Sequence, residues 1–195
     1  MNVGRPLQFD PNQVLYSALK VFWQYGYEST SLQDLLSSMG LSKSSFYQAF
    51  GNKQQLFELC IQRYREDTLH EIRTALEECD EAWALIRALF MNTIAESEGK
   101  EYHWGCLVMN TASEFAQRDL SVAKQVTQTT SAFMELFGEI VSLGQEQGQI
   151  SNNKSPIQLA RYLLSSLSGL HTMLKAGTKR EQAEELVDVI MEALK

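Results

Sequence analysis

Between Gly40 and Lys53 the chain carries no carboxylate, and in the middle of that stretch stands Ser42-Lys43-Ser44-Ser45-Phe46-Tyr47-Gln48. On a helix, Phe46 would anchor inward while the outward positions offer hydroxyls, an ammonium, a phenol and an amide. Such donors and acceptors hydrogen-bond phosphate oxygens and base edges, with no nearby carboxylate to repel a polyanion. The same residues also describe an ordinary Ser-capped helix with solvated lysines. A second chemistry sits at Cys106, in Trp104-Gly105-Cys106-Leu107 with His103 beside it. At a helix N-terminus, unpaired amides and the helix dipole favour the thiolate, which reacts with oxidants and electrophiles. A buried cysteine acting as a small hydrophobe is the alternative. HExxH, GxSxG, P-loop and GxGxxG patterns are missing and the three histidines are far apart, so the expectation is a protein that is not an enzyme and needs no metal or cofactor.

The elements that must position these groups read as helices throughout, which predicts an all-α fold. Asp10-Pro11 is a cap followed by proline, Val14, Leu15, Ala18, Leu19, Phe22 and Trp23 recur at helical spacing, and Gly26 ends the first helix. Ser31 with Asp34 approximates a capping box before Leu32, Leu35, Leu36 and Met39, and Gly40 closes that second helix. The spacing predicts a third helix over 43–50, with Phe46 and Phe50 facing inward together. Gly51-Asn52 then opens a long fourth helix carrying Leu56, Leu59, Cys60, Tyr64, Leu69, Ile72 and Leu76. Beyond residue 78, helices are expected over about 81–97, 104–117, 120–148, 156–176 and 179–195, with 147–154 as the clearest loop. Two short helices joined by a glycine-containing turn make a helix-turn-helix, whose second helix can enter a major groove.

Charge supports that division. The whole chain of 195 residues carries −7, which alone argues against a basic coat. Residues 1–53, however, hold four cations against three carboxylates, a net +1, and the remainder holds thirteen against twenty-one, a net −8. A near-neutral head with cations around its third helix can meet a phosphate backbone while an acidic body stays solvated. The expected domains are therefore 1–53, a helix-turn-helix head with a short N-terminal arm, and 54–195, a larger helical domain. Three cysteines without metal-ligand spacing, and no signal-like or membrane-length apolar run, predict a cytoplasmic protein with no membrane partner.

The run Phe22-Trp23-x-x-Gly26-Tyr27-Glu28-x-Thr30-Ser31, then Met39-Gly40-Leu41-Ser42-Lys43-Ser44-Ser45-Phe46-Tyr47, then Phe50-Gly51-Asn52-Lys53-x-x-Leu56-Phe57, resembles the DNA-binding signature of the TetR/AcrR family of transcriptional regulators. The resemblance covers about residues 9–57. It implies a homodimer that binds double-stranded DNA at an inverted-repeat operator, usually as a repressor, and releases it when a small-molecule inducer enters the C-terminal domain. Carried over by position, Ser42, Lys43 and Ser44 would approach bases or phosphates, and Tyr47 and Lys53 would meet phosphates, as would Thr30 and Ser31 from the second helix. Ala49 stands where the family often has His or Tyr, leaving Gln48 to compensate. Gly4-Arg5-Pro6 resembles arms that enter the minor groove, with Arg5 as the reader; a disordered terminus is the alternative.

Residues 104–126 and 168–175 are similar to a TetR subgroup with a Gly-Cys-Leu start to the sixth helix. In some of its members a cysteine at the Cys106 position and a lysine at the Lys175 position act together in redox sensing. A ligand pocket in the body would draw on Trp83, Phe90, Trp104, Met109, Phe115, Phe133, Phe137, Tyr162, His171 and Met173, residues that equally describe a plain core. The last two helices offer broad apolar faces, Leu159, Leu163, Ser166, Leu167, Leu170 and Leu174 on one, Leu186, Val189, Ile190 and Leu194 on the other, for a four-helix interface or for internal packing. The competing readings are a helical protein–protein adaptor without DNA affinity and a small helical enzyme.

Overall fold

The computed structural model describes residues 10–98, 104–115 and 119–195. The arm with Arg5, and His103, lie outside them. Among the described residues the only regular elements are nine α-helices: α1 (Pro11–Tyr25), α2 (Leu32–Met39), α3 (Lys43–Phe50), α4 (Lys53–Glu78), α5 (Ala82–Glu96), α6 (Leu107–Phe115), α7 (Leu120–Glu146), α8 (Pro156–Lys175) and α9 (Arg180–Glu192). The all-α expectation holds. Contacts divide the chain into two compact units, one ending at Tyr64 and the other beginning at Arg65, so that α4 is shared between them.

In the first unit, local chemistry sets every boundary. The Asp10 carboxylate accepts from the Asn12 amide at 2.9 Å and Pro11 occupies the first turn of α1, where a missing N–H costs nothing. Ser31 and Asp34 cap α2 reciprocally, and Gly40, at φ 64°, takes the left-handed conformation that lets the chain turn into α3. Phe22, Leu35, Phe46, Leu56, Phe57 and Ile61 form the core, with the Phe22 and Phe57 rings edge to face at 4.9 Å. Two inward assignments need correction. Phe50 is only half-buried, and Leu59 is exposed. The buried stripe of α4 is Leu56, Phe57, Cys60 and Ile61, and Leu59 lies two residues from both Phe57 and Ile61, about 200° around the helix.

The second unit packs α5, α7, α8 and α9 around Ile86, Phe90, Ile94, Phe137, Ile140, Val141, Leu163, Leu170 and Val187, with Ile72 and Leu76 of α4 against its edge. Glu81 precedes α5 without a side-chain cap. Instead Gln147 Oε1 accepts from the Ala82 amide at 3.0 Å, and Gln149 Oε1 accepts from the Trp83 amide at 3.1 Å. The polar 147–154 loop thus satisfies the orphan donors of a helix far away in sequence. It is pinned where Ile150 lies on Gly144: a Cβ there would sit 2.5 Å from Ile150 Cδ1.

Candidate nucleic-acid interface

α3 presents two faces. Phe46 is fully buried, whereas Lys43, Ser44, Tyr47 and Gln48 are exposed at positions i, i+1, i+4 and i+5, one continuous stripe on the opposite side. The Tyr47 ring leans edge-on against Phe46 at 5.4 Å, so the core fixes the direction of an exposed phenol. Ser42 caps the helix, accepting from the Ser45 amide at 3.1 Å while its hydroxyl pairs with that of Ser45 at 2.9 Å. Neither α3 nor α4 has an acidic residue in its first turn, leaving both positive helix ends without a neutralising carboxylate there.

At the start of α4, Asn52 Oδ1 accepts from the Gln55 amide at 2.9 Å, a cap that the Gly51-Asn52 pair signals in sequence. Lys53 is the first residue of the helix, and its ammonium lies 4.2 Å from the centroid of the Tyr27 ring. Tyr27, assigned no role from sequence, in turn packs on Phe22 and Phe57.

The start of α2 differs. Thr30 is buried, and its hydroxyl donates to the Gly26 carbonyl at 2.6 Å, so that side chain ties the α1–α2 turn rather than facing solvent. Ser31 is exposed, but its amide and hydroxyl both donate to the Asp34 carboxylate. The hydroxyl first, and the amide second, hold that carboxyl below the usual carboxylate range. A carboxylate therefore already occupies the anion position at this helix end.

In the second unit the expected pocket residues are spread through the packing. Phe90 and Phe137 are core, Phe115 and Phe133 are buried, and Trp83, Trp104, Met109, Tyr162 and His171 are half-buried. Met173 is half exposed, which corrects its inward assignment. Burial lowers the His171 pKa to about 4, so its imidazole is neutral. A small cleft lies elsewhere, lined by Ser151, Asn153, Lys154, Leu159, Ala193, Leu194 and Lys195, and shares none of the expected residues.

None of the three cysteines is in a disulfide. Cys60 is sealed in the first unit and burial pushes its thiol pKa up, while Cys79 and Cys106 are half-buried. Gly105, at φ 65°, adopts the left-handed conformation that turns the chain into Cys106. The loop is held by Asn110, whose side-chain amide donates to the Trp104 carbonyl. A Cβ on Gly105 would lie 3.9 Å from Cδ of Lys175, so the stem of that lysine runs beside the residue preceding Cys106. No group of metal-ligating side chains occurs among the described residues. Nor is any described helix long and apolar enough to cross a membrane.

Comparison with known proteins matches residues 14–60 to the family "Bacterial regulatory proteins, tetR family" and residues 82–190 to the "Tetracyclin repressor-like, C-terminal domain". The chain is 30% identical over 193 residues to the uncharacterized HTH-type transcriptional regulator YezE of Bacillus subtilis, covering 98% of this chain and all of that one. It is 28% identical over 186 residues to the HTH-type transcriptional repressor ComR of Escherichia coli, covering 94% and 88% of the two chains. Among solved structures, a cysteine mutant of the TetR-family regulator CifR in complex with 26-base-pair operator DNA superposes with a TM-score of 0.86 at 28% identity, covering 98% of this chain and 100% of that one.

Proposed function

Since the chain belongs to the TetR family of bacterial regulatory proteins, we propose that its α3 stripe of Lys43, Ser44, Tyr47 and Gln48 reads an inverted-repeat operator, and that a signal received by the second unit releases it. The protein is a DNA-binding transcriptional regulator. The observation that carries the finer reading is the acid-free, outward stripe on a helix anchored by Phe46. Lys43 and Ser44 stand at the N-terminal end of α3, where a recognition helix meets base edges. Tyr47 and Gln48 lie one turn on. Lys53 and the first amides of α4 contact backbone phosphate. Ser42 caps α3 and lends its remaining lone pair to the interface, Ser31 contributes from the edge, and Arg5 belongs to the arm. The family setting makes this activity regulatory rather than enzymatic.

Two copies are needed to read both half-sites. Leu159, Leu163, Leu170, Leu174, Ile190 and Leu194 are spent within the chain's own core, whereas Ile157, Met173 and Val189 are exposed. A Cβ on Gly169 would meet nothing within 4 Å. These outward residues of α8 and α9 supply the self-complementary face.

The signal is a small-molecule inducer in the helical body or modification of Cys106. A peroxide oxidises the Cys106 thiolate to sulfenic acid and is itself reduced to the alcohol or water. The ammonium of Lys175, whose stem passes Gly105, favours the thiolate before that step. Either event shifts the population towards a body conformation that places the two recognition helices at a spacing successive major grooves do not match. Base-resolved binding tests the interface: Gln48→Ala changes preference at one operator position, while Lys53→Met weakens all sequences and lowers the salt slope by about 1. Equal loss on every sequence from both variants contradicts base reading by α3.

A further inference from the structure

Lysine at the first position of a helix is electrostatically misplaced, because its charge adds to the positive end of the dipole. α4 nevertheless begins with Lys53, and its first turn holds no carboxylate to offset that charge. The ammonium is instead accommodated over an aromatic face, 4.2 Å from the Tyr27 centroid. Tyr27 is not free to follow it. Its ring lies nearly parallel to Phe22, with centroids 6.0 Å apart and planes at 17°, and packs at 4.9 Å from Phe57. Both phenylalanines are fully buried. The chain of contact therefore runs from the core of the first unit, through Tyr27, to a charge at the tip of α4.

We propose that Tyr27 is a positioning residue for DNA binding, its ring holding the Lys53 ammonium beside the α4 N-terminal amides so that one phosphate can accept from both. The inference rests on the reading that Lys53 contacts a backbone phosphate. Lysine carries large rotamer entropy, and a side chain already confined over a ring loses less on binding. Phosphate also supplies a negative charge at a helix end whose first turn holds no acidic residue. The ring attracts the cation through its quadrupole and leaves its formal charge unchanged.

The test is a double-mutant cycle on operator affinity, measured across a range of salt with the full-length protein. Lys53→Met should weaken binding and reduce the magnitude of the log–log salt slope by about 0.9. Tyr27→Leu in the Lys53 background should weaken binding about three- to ten-fold with little change of slope, and should have almost no effect when Met already stands at 53. Tyr27→Phe should restore full affinity. Replacing Tyr27 by pentafluorophenylalanine, which keeps the ring's bulk and removes its negative face, should behave like Tyr27→Leu even if the leucine variant folds poorly. Equal losses from Tyr27→Leu in both backgrounds, or wild-type affinity with the fluorinated ring, would overturn the positioning role while leaving the Lys53 contact intact. An unchanged slope in Lys53→Met would overturn the phosphate contact itself, and the role of Tyr27 with it.

Discussion

The hydroxyl of Thr30 donates to the carbonyl of Gly26 at 2.6 Å, closing the turn between α1 and α2 from inside the first unit. Removing it leaves a part-buried carbonyl unsatisfied, a cost of about 1–3 kcal/mol. Thr30→Val should therefore lower the unfolding free energy by that amount in urea titrations, and Thr30→Ser should retain most of it. At a temperature where both variants are folded, operator affinity should stay within about two-fold of wild type. A large loss of affinity with unchanged stability would return Thr30 to the DNA interface.

Gly144 meets Ile150 with no room for a side chain, since a Cβ would come within 2.5 Å of Cδ1 and 3.3 Å of the Ala82 Cβ. Gly144→Ala should cost about 1–3 kcal/mol through overpacking, despite the better helix propensity of alanine. The melting temperature should fall by roughly 2–8 °C. Gly144→Ala with Ile150→Val should recover part of the loss.

His171 sets a pH dependence whose sign follows from its lowered pKa. In the folded chain burial brings that pKa down to about 4, against an ordinary 6.5 once unfolded. Between those values the unfolded chain binds a proton that the folded chain refuses, so stability falls as pH drops from 6.5 towards 4 and is fully present above 6.5. His171→Gln should lose less stability than wild type between pH 7 and pH 4.5, by up to about 2 kcal/mol, read from urea midpoints at each pH. Parallel pH profiles for the two proteins would contradict this.

Cys106 and Cys60 should respond oppositely to oxidants. Cys60 is sealed and its thiol is pushed towards the neutral form, while Cys106 is half-buried and follows Gly105, beside which the Lys175 stem runs. Mass spectrometry after peroxide treatment should find Cys106 oxidised and Cys60 intact. Operator affinity should fall about ten-fold or more in wild type and stay constant in Cys106→Ser, a loss of about 1.4 kcal/mol or more. Lys175→Met should slow the oxidation at neutral pH.

Helix starts were legible because their causes are local: Asp10-Pro11, Ser31 with Asp34, and Ser42 each satisfy amides within a few residues. The exposed stripe of α3 was legible for the same reason, since the burial of Phe46 fixes the opposite face of so short a helix. What sequence could not supply was the choice among partners. The capping-box spacing ties Ser31 to Asp34, but nothing local signals that the neighbouring Thr30 hydroxyl turns inward to Gly26. The caps of α5 come from Gln147 and Gln149, and the ring under Lys53 comes from Tyr27; both are tertiary contacts with no local signature. Apolar spacing likewise identified Phe90, Phe137, Leu163 and Leu170 as inward residues but could not separate core from pocket or from subunit interface.

The central claim is that the α3 stripe and the α4 terminus together read duplex DNA, and footprinting of the purified protein on its own genome's DNA tests it most directly. The account predicts protection of an inverted repeat whose half-site centres lie about one helical turn apart or a multiple of it, with affinity falling steeply as salt rises and abolished protection for Lys43→Met with Tyr47→Ala. Uniform, sequence-independent retention, or protection that survives in that double variant, would contradict it.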